Sequence, residues 1–249
     1  MRRIATIVRR HPLDSIGVLI AVLIIGVALF GPYLAPFDPT DLDFRNQLSA
    51  PSEEHFFGTD DKGRDIYSRV LHGARLTLSA VAAVIVFALL FGLLVGVTAA
   101  LRGGWADEIL MRTTDIGLAM PSLVLALGIA AALGSGLWAA VVALALTWWP
   151  GYARLIRSLV LDAKSRDHVD AARVLGVGRS RLIRRHILPA TNETILVQMA
   201  IDVAAVALVI SGLSFVGVGV QPPLPEWGAM IAEGRGYFQR AWWVVVFPG

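Results

Sequence analysis

Four stretches of this chain are too long and too apolar to rest in water. No charged residue lies between Asp14 and Asp38, and 16–34 is almost wholly aliphatic. Residues 76–101 carry no charge, 116–153 carry none, and 194–220 are interrupted only by Asp202. A helix needs ~20 apolar residues to cross the hydrocarbon core. The 116–153 run is long enough for two crossings, with Gly134-Ser135-Gly136 at its midpoint as the turn between them. The chain therefore reads as an all-α membrane protein with five transmembrane helices, at 16–34, 76–101, 116–133, 137–153 and 194–220. Apolar residues make up 56% of its 249 residues and charged residues 16%, too few charges to keep a soluble domain of this size in solution.

The first run follows Arg2, Arg3, Arg9 and Arg10, as in a signal peptide, but it is too long for an h-region and no small-x-small cleavage site follows. It reads as a retained anchor behind a cytoplasmic tail at 1–15. Lys and Arg mark the cytoplasmic loops. The loop at 154–190 holds nine cations against three acids, whereas the 35–75 loop holds five against eight. This places the N-terminus and the 154–190 loop inside, and the 35–75 and 221–241 loops outside. Trp242-Trp243 reads as an interfacial pair opening a sixth span at 242–249, apparently truncated here.

Several chemistries are excluded. There is no cysteine, no GxxxxGK[ST], no GxSxG and no HExxH, and the five histidines are scattered. Nothing predicts a catalytic residue, a bound cofactor or a metal site. A net charge of +3 does not suggest nucleic acid.

The 154–190 loop contains Asp167-His168-Val169-Asp170-Ala171-Ala172-Arg173-Val174-Leu175-Gly176, then Arg185-His186-Ile187-Leu188-Pro189. This predicts a short helix, a Gly break, a basic helix and a Pro stop. Val169, Ala172, Leu175 and Gly176 recur on a narrow face of small and apolar groups. Two readings stand: a helix that docks into a partner's groove, or a basic loop held on anionic membrane lipid.

Between Phe57 and Arg75 a turn at Gly58 and Gly63 leads into an amphipathic helix, with Asp65 placed to cap it. Asp60, Asp61 and Asp65 miss calcium-loop spacing, which leaves a structural cap or a docking surface. Asp202, with Gln198 one turn before it, lies within a span, where ionisable groups usually face a cavity or a partner. Its readings are a pathway or inter-subunit group, or a snorkelling side chain. Trp148 and Trp149 either line a route or face lipid, and Pro150 predicts a break or kink in the fourth span.

The spacing Asp170-Ala171-Ala172-x3-Gly176-x12-Pro189 resembles the EAA loop of bacterial ABC-importer permeases, with Asp170 for the usual Glu. Phe57-Gly58-Thr59-Asp60-Asp61-Lys62-Gly63-Arg64-Asp65 and Gln221-Pro222-Pro223 to Glu226-Trp227-Gly228 resemble segments of the C-type permease of the peptide/nickel importers. The resemblance implies a non-enzymatic permease subunit forming half of a pathway for dipeptides or oligopeptides, with nickel chelate or haem-like cargo as the alternative. It implies ATP-subunit contacts at Asp170, Ala171, Ala172, Leu175 and Gly176, and binding-protein docking at Asp60, Asp61, Arg64, Asp65, Glu226 and Trp227. It also implies a homologous B-type permease, two ATP-binding subunits carrying ATP and Mg²⁺, an external binding protein, and a bacterial inner-membrane location. A stand-alone secondary transporter, which needs internal repeats and about ten spans with paired ionisable groups, is opposed by five spans and a single deep carboxylate, and a membrane receptor is the remaining alternative.

Overall fold

The computed structural model describes residues 12–249, and for residues 12–15, 168, 170, 173, 179, 180, 184, 186 and 190 the backbone alone. Of the tail read at 1–15, residues 1–11 lie outside the described residues, and 12–15 belong to the first helix. The described residues are mostly helical, with one isolated bridge, Thr59 to Asp65, as their extended pairing. Four helices are long and apolar enough to cross a membrane, or five if a bent pair counts as one span. The chain divides into two units, 1–79 with 214–249, and 80–213.

In the first unit, α1 (Pro12–Leu34) presents most of its apolar side chains outward, as a helix solvated by lipid can. Gly31 meets the first turns of α2 (Ile66–Arg102), where a Cβ would come within 3.1 Å of the Leu71 carbonyl oxygen. The amphipathic helix expected before residue 76 and the span expected from 76 are one continuous helix. Asp65 starts it by accepting from the Ser68 amide at 2.8 Å, which satisfies one of the free donors at a helix N-terminus.

The end of the chain folds back onto this start through α9 (Trp227–Gly234) and α10 (Trp243–Val246). Ile66, Met230, Ala241, Trp243 and Val244 form their shared core, and Phe57 stacks on Phe247 with ring centroids 4.0 Å apart. Trp243, expected beside Trp242 at a membrane interface, is buried, and its indole N–H donates to the Thr59 carbonyl at 3.2 Å. Burial of an indole with its one donor satisfied makes it a core residue, and only Trp242 of the pair is exposed.

The second unit is built around α5 (Leu137–Lys164). Gly92 and Gly96 of α2 let the backbones nearly touch: a Cβ at Gly96 would lie 2.5 Å from the Ala153 carbonyl oxygen, and one at Gly92 2.5 Å from the Tyr152 Cβ. Small residues at such crossings are how membrane helices gain dispersion contact without a hydrophobic drive. α5 also packs on α3 (Gly104–Ala119) and α4 (Ser122–Leu133).

The region read as one span at 116–133 is broken. α3 and α4 meet at an angle of 89°. The cause is Pro121, which disfavours the helical conformation at the preceding residue, and Met120 is extended with φ −93° and ψ 140°. Pro150, by contrast, does not interrupt α5. Its ring sits over Gly117, where any Cβ would lie 2.9 Å from the Pro150 Cγ, and helix-breaking residues are tolerated where neighbouring helices support them.

After α5 come α6 (Asp167–Val174), α7 (Arg179–Leu182), a π turn at Ile183–Ile187 and α8 (Leu188–Val216). Val169, Ala172, Leu182 and Ile187 join Tyr152, Ile156, Val160 and Ala163 in one buried cluster.

Candidate functional site

The site in the second unit forms where α5 passes α8. Trp148, Gly151, Tyr152 and Leu155 fall at helical spacing along one face of α5, and Gln198 and Asp202 lie one turn apart on α8. With Leu118, Ser122 and Thr147 they line a cleft of about 360 Å³, within the size range of small-molecule sites. Asp202 is 7% exposed, and one of its carboxylate oxygens accepts from the Gln198 amide at 3.1 Å. Tyr152 is 2% exposed, and its hydroxyl stands beside the Asp202 carboxyl without closing a hydrogen bond of ordinary geometry to any described residue. Burying a hydroxyl unpaired costs free energy, so an unpaired one facing a cleft marks a place where a ligand group or water completes it.

The structure thus brings together Asp202, Gln198 and Trp148 but separates Trp149, whose ring packs edge-on against Phe91 at 4.9 Å. Tyr152 escaped the sequence reading although it follows Trp148 by one helical turn. The charge on Asp202 drew attention to α8, while the neutral Tyr152 carried no comparable signal.

Around the 154–190 loop the structure redraws the expected face. Val169 and Ala172 point inward, with Ala172 only 7% exposed, so Ala172 packs inside the chain rather than on an outer surface. Val174 and Leu175 point outward at 88% and 82% exposure, beside exposed Ala171 and Gly176. Residues 169, 172 and 175 were read as one stripe, but α6 ends at Val174, and Gly176 takes a left-handed φ of 78°. The chain turns there, and Leu175 leaves the face that Ala172 occupies. The Asp170 side chain lies outside the described residues.

The 57–75 segment and α9 carry a buried ionic network in the first unit. Arg64 reaches Asp60 at 2.6 Å and both oxygens of Glu233 at 3.1 Å, while Arg69 reaches Glu233 at 3.1 Å and the Pro39 carbonyl at 3.1 Å. Burial opposes ionisation of Glu233, but the guanidiniums of Arg64 and Arg69 outweigh it and hold its carboxyl below the ordinary value. Burial, and then the neighbouring Asp60, raise the carboxyl of Asp61. Asp65, besides capping α2, lies 2.9 Å from His55 Nδ1 and accepts from it when the imidazole carries a proton there. Glu226 caps α9 by accepting from the Ala229 amide at 2.9 Å and from the Thr77 hydroxyl.

Asp60, Arg64, Asp65 and Glu226 were candidates for docking a binding protein, but all four are buried and engaged within the chain. A charge taken out of water needs a close partner, and these side chains serve one another. Asp61 and Trp227 remain half-buried. Among the described residues no group of three or more His, Asp or Glu could hold a metal ion.

The fold and the cleft define a helical membrane protein of several spans with polar groups gathered between two of them. The chain belongs to the family described as binding-protein-dependent transport system inner membrane component, which it matches over residues 88–248. Residues 1–51 match the N-terminal TM domain of oligopeptide transport permease C. A di/tripeptide transport system permease protein of Pseudomonas aeruginosa is 42% identical over 240 residues, covering 94% of this chain and 79% of that protein. A probable D,D-dipeptide transport system permease protein of Escherichia coli is 40% identical, covering 99% and 83%. A solved amino acid ABC transporter described with histidines shares the fold, with a TM-score of 0.55 at 19% identity over 72% of this chain and 84% of that one. The chain is a permease subunit.

Proposed function

We propose that this permease carries dipeptides or longer peptides inward as one of two homologous membrane subunits of an ATP-driven importer. The peptide-permease relatives support the cargo class. In this reading two ATP-binding subunits hold ATP and Mg²⁺, and an external binding protein delivers the cargo. The N-terminus and the 154–190 loop face the cytoplasm, and Asp202, Gln198 and Trp148 border the route.

The observation that carries the coupling role is the exposure of Val174 and Leu175 at the end of α6. Two neighbouring aliphatic side chains left in water within a loop of nine cations are a surface waiting for a partner, and burying each contributes roughly 1.5–3 kcal/mol. Ala171 and Gly176 beside them let that partner approach closely. The inward pair Val169 and Ala172 anchors α6 to α5 and α8, so a push on Leu175 reaches the spans.

Leu175→Asp tests this. The chain should still insert and fold, because Leu175 touches little of its own unit. Binding-protein-stimulated ATP turnover of the purified complex should fall at least about tenfold, as expected for a lost apolar anchor. Normal stimulated turnover would place the docking surface elsewhere.

A further inference from the structure

We propose that the cleft between α5 and α8 is a recognition subsite for the primary ammonium group of the cargo, with Asp202 as its counter-charge and the Tyr152 hydroxyl as an acceptor. The proposal rests on the importer reading and names what this chain itself recognises within it.

Four observations converge. Asp202 is buried inside a span, where a carboxyl is costly to keep and usually faces a cavity or a partner. Gln198 occupies one of its oxygens through a neutral amide, which orients the carboxyl without cancelling its charge. A carboxylate has about four acceptor sites, so this one bond leaves capacity. Among the described residues no arginine or lysine lines the cleft, so that lining holds no cation to neutralise Asp202.

The remaining lining matches a compact cation with three N–H donors. Tyr152 presents a buried hydroxyl beside the Asp202 carboxyl that closes no ordinary hydrogen bond among the described residues, and its oxygen keeps acceptor lone pairs toward the cleft. Trp148 contributes an indole to the same wall, and aromatic faces attract cations. Leu118 and Leu155 supply the apolar wall for the carbon atoms beside the ammonium. A carboxylate-bearing or phosphate-bearing end of a cargo finds no positive group among the described lining residues, so the subsite distinguishes a peptide's N-terminus from its C-terminus.

Tyr152→Phe is the decisive variant. If the hydroxyl only steadied its neighbour Asp202, its removal would change the stability of the subunit and leave the affinity for Ala-Phe where it was. If it accepts from a cargo ammonium, its loss weakens binding about threefold to tenfold. The experiment uses saturation-transfer NMR on the full complex of this chain, its partner permease and the ATP-binding subunits in nanodiscs, without binding protein. The probes are the dipeptide Ala-Phe and its N-acetylated form.

The expected result is that Ala-Phe binds and that the N-acetyl form binds at least about tenfold more weakly. Asp202→Asn should remove this preference, and Tyr152→Phe should weaken Ala-Phe binding. Equal binding of the two probes, or affinities unmoved by both variants, would overturn the subsite. Should Asp202→Asn fail to assemble, Tyr152→Phe decides alone. Uptake of Ala-Phe by the unaltered complex with its binding protein is measured in parallel. Uptake without an ammonium preference sinks the subsite and leaves the importer intact, whereas absent peptide uptake sinks the importer reading itself.

Discussion

Arg157 on α5 holds Asp107 on α3 through two parallel hydrogen bonds of 2.6 Å, from Nε and Nη2 to the two carboxylate oxygens. One turn earlier on α5, Arg154 pairs with Asp115, two turns later on α3. The two helices are laced together antiparallel at the end where α5 leaves its apolar stretch. Bidentate geometry is what distinguishes such a pair from an ordinary surface ion pair.

Asp107→Ala should therefore destabilise the subunit by about 1 kcal/mol. The swapped double variant, Asp107→Arg with Arg157→Asp, should recover part of that loss. Thermal unfolding in detergent of the parent, Asp107→Arg, Arg157→Asp and the double variant closes the cycle, and additive single effects would mean that the pair is decorative.

At the α2–α5 crossing the obstacle to any side chain is backbone. Gly96→Leu should abolish correct folding, since overpacking already costs about 1–3 kcal/mol where side chains can yield, and the Ala153 carbonyl cannot. Gly26→Leu on α1, where nothing lies within 4 Å, is the matched control and should leave the yield of monodisperse protein unchanged.

Ala172→Trp should fail as a fold defect. Its ring would enter the cluster containing Leu182 and Ile187, so the variant is expected to lose stability in the isolated subunit, before any partner is added. A normally stable Ala172→Trp that fails only on assembly would return Ala172 to the outer face.

Glu233 predicts a pH dependence for the 35–65 segment. Its carboxyl is held below the ordinary value of 4.5, so the stabilisation it contributes is complete above that value. It is lost as pH falls through the lowered one. Limited proteolysis between about pH 7 and pH 3 should show the segment opening at the acid end. Glu233→Gln should open it at neutral pH and flatten the acid response.

Orientation is testable because the chain has no cysteine of its own. A single cysteine at Ser165 should react with an impermeant thiol reagent only in inverted vesicles, and one at Ser52 only in intact cells. Both positions are exposed. Labelling of Ser165 from outside would reverse the topology.

The spans were legible because lipid imposes a simple code. A run such as 16–34 must form a helix, whatever it packs against, since its backbone has no water to bond. Pro121 was equally visible, yet hydropathy alone passes over it, and the bend between α3 and α4 went unread. The 35–65 segment was illegible for a different reason. Its order depends on Arg64 and Arg69 meeting Glu233, more than 160 positions away, and no local periodicity announces such a pairing. The cleft was half legible: Asp202 stood out as a charge in a span, whereas Tyr152 became significant only when its hydroxyl was found unpaired.

The unbroken run of α5 from Leu137 to Lys164 has a genetic consequence. Trp148 and Tyr152 address the cleft, Ala153 and Ile156 the glycines of α2, and Arg154 and Arg157 the acids of α3. A helix advances about 100° per residue, so inserting or deleting one codon between these positions would swing every later contact to the wrong neighbour. Point substitutions can be absorbed one contact at a time, but a change of length cannot. When related genes are aligned, gaps should collect in the loops that flank α5 and not within it.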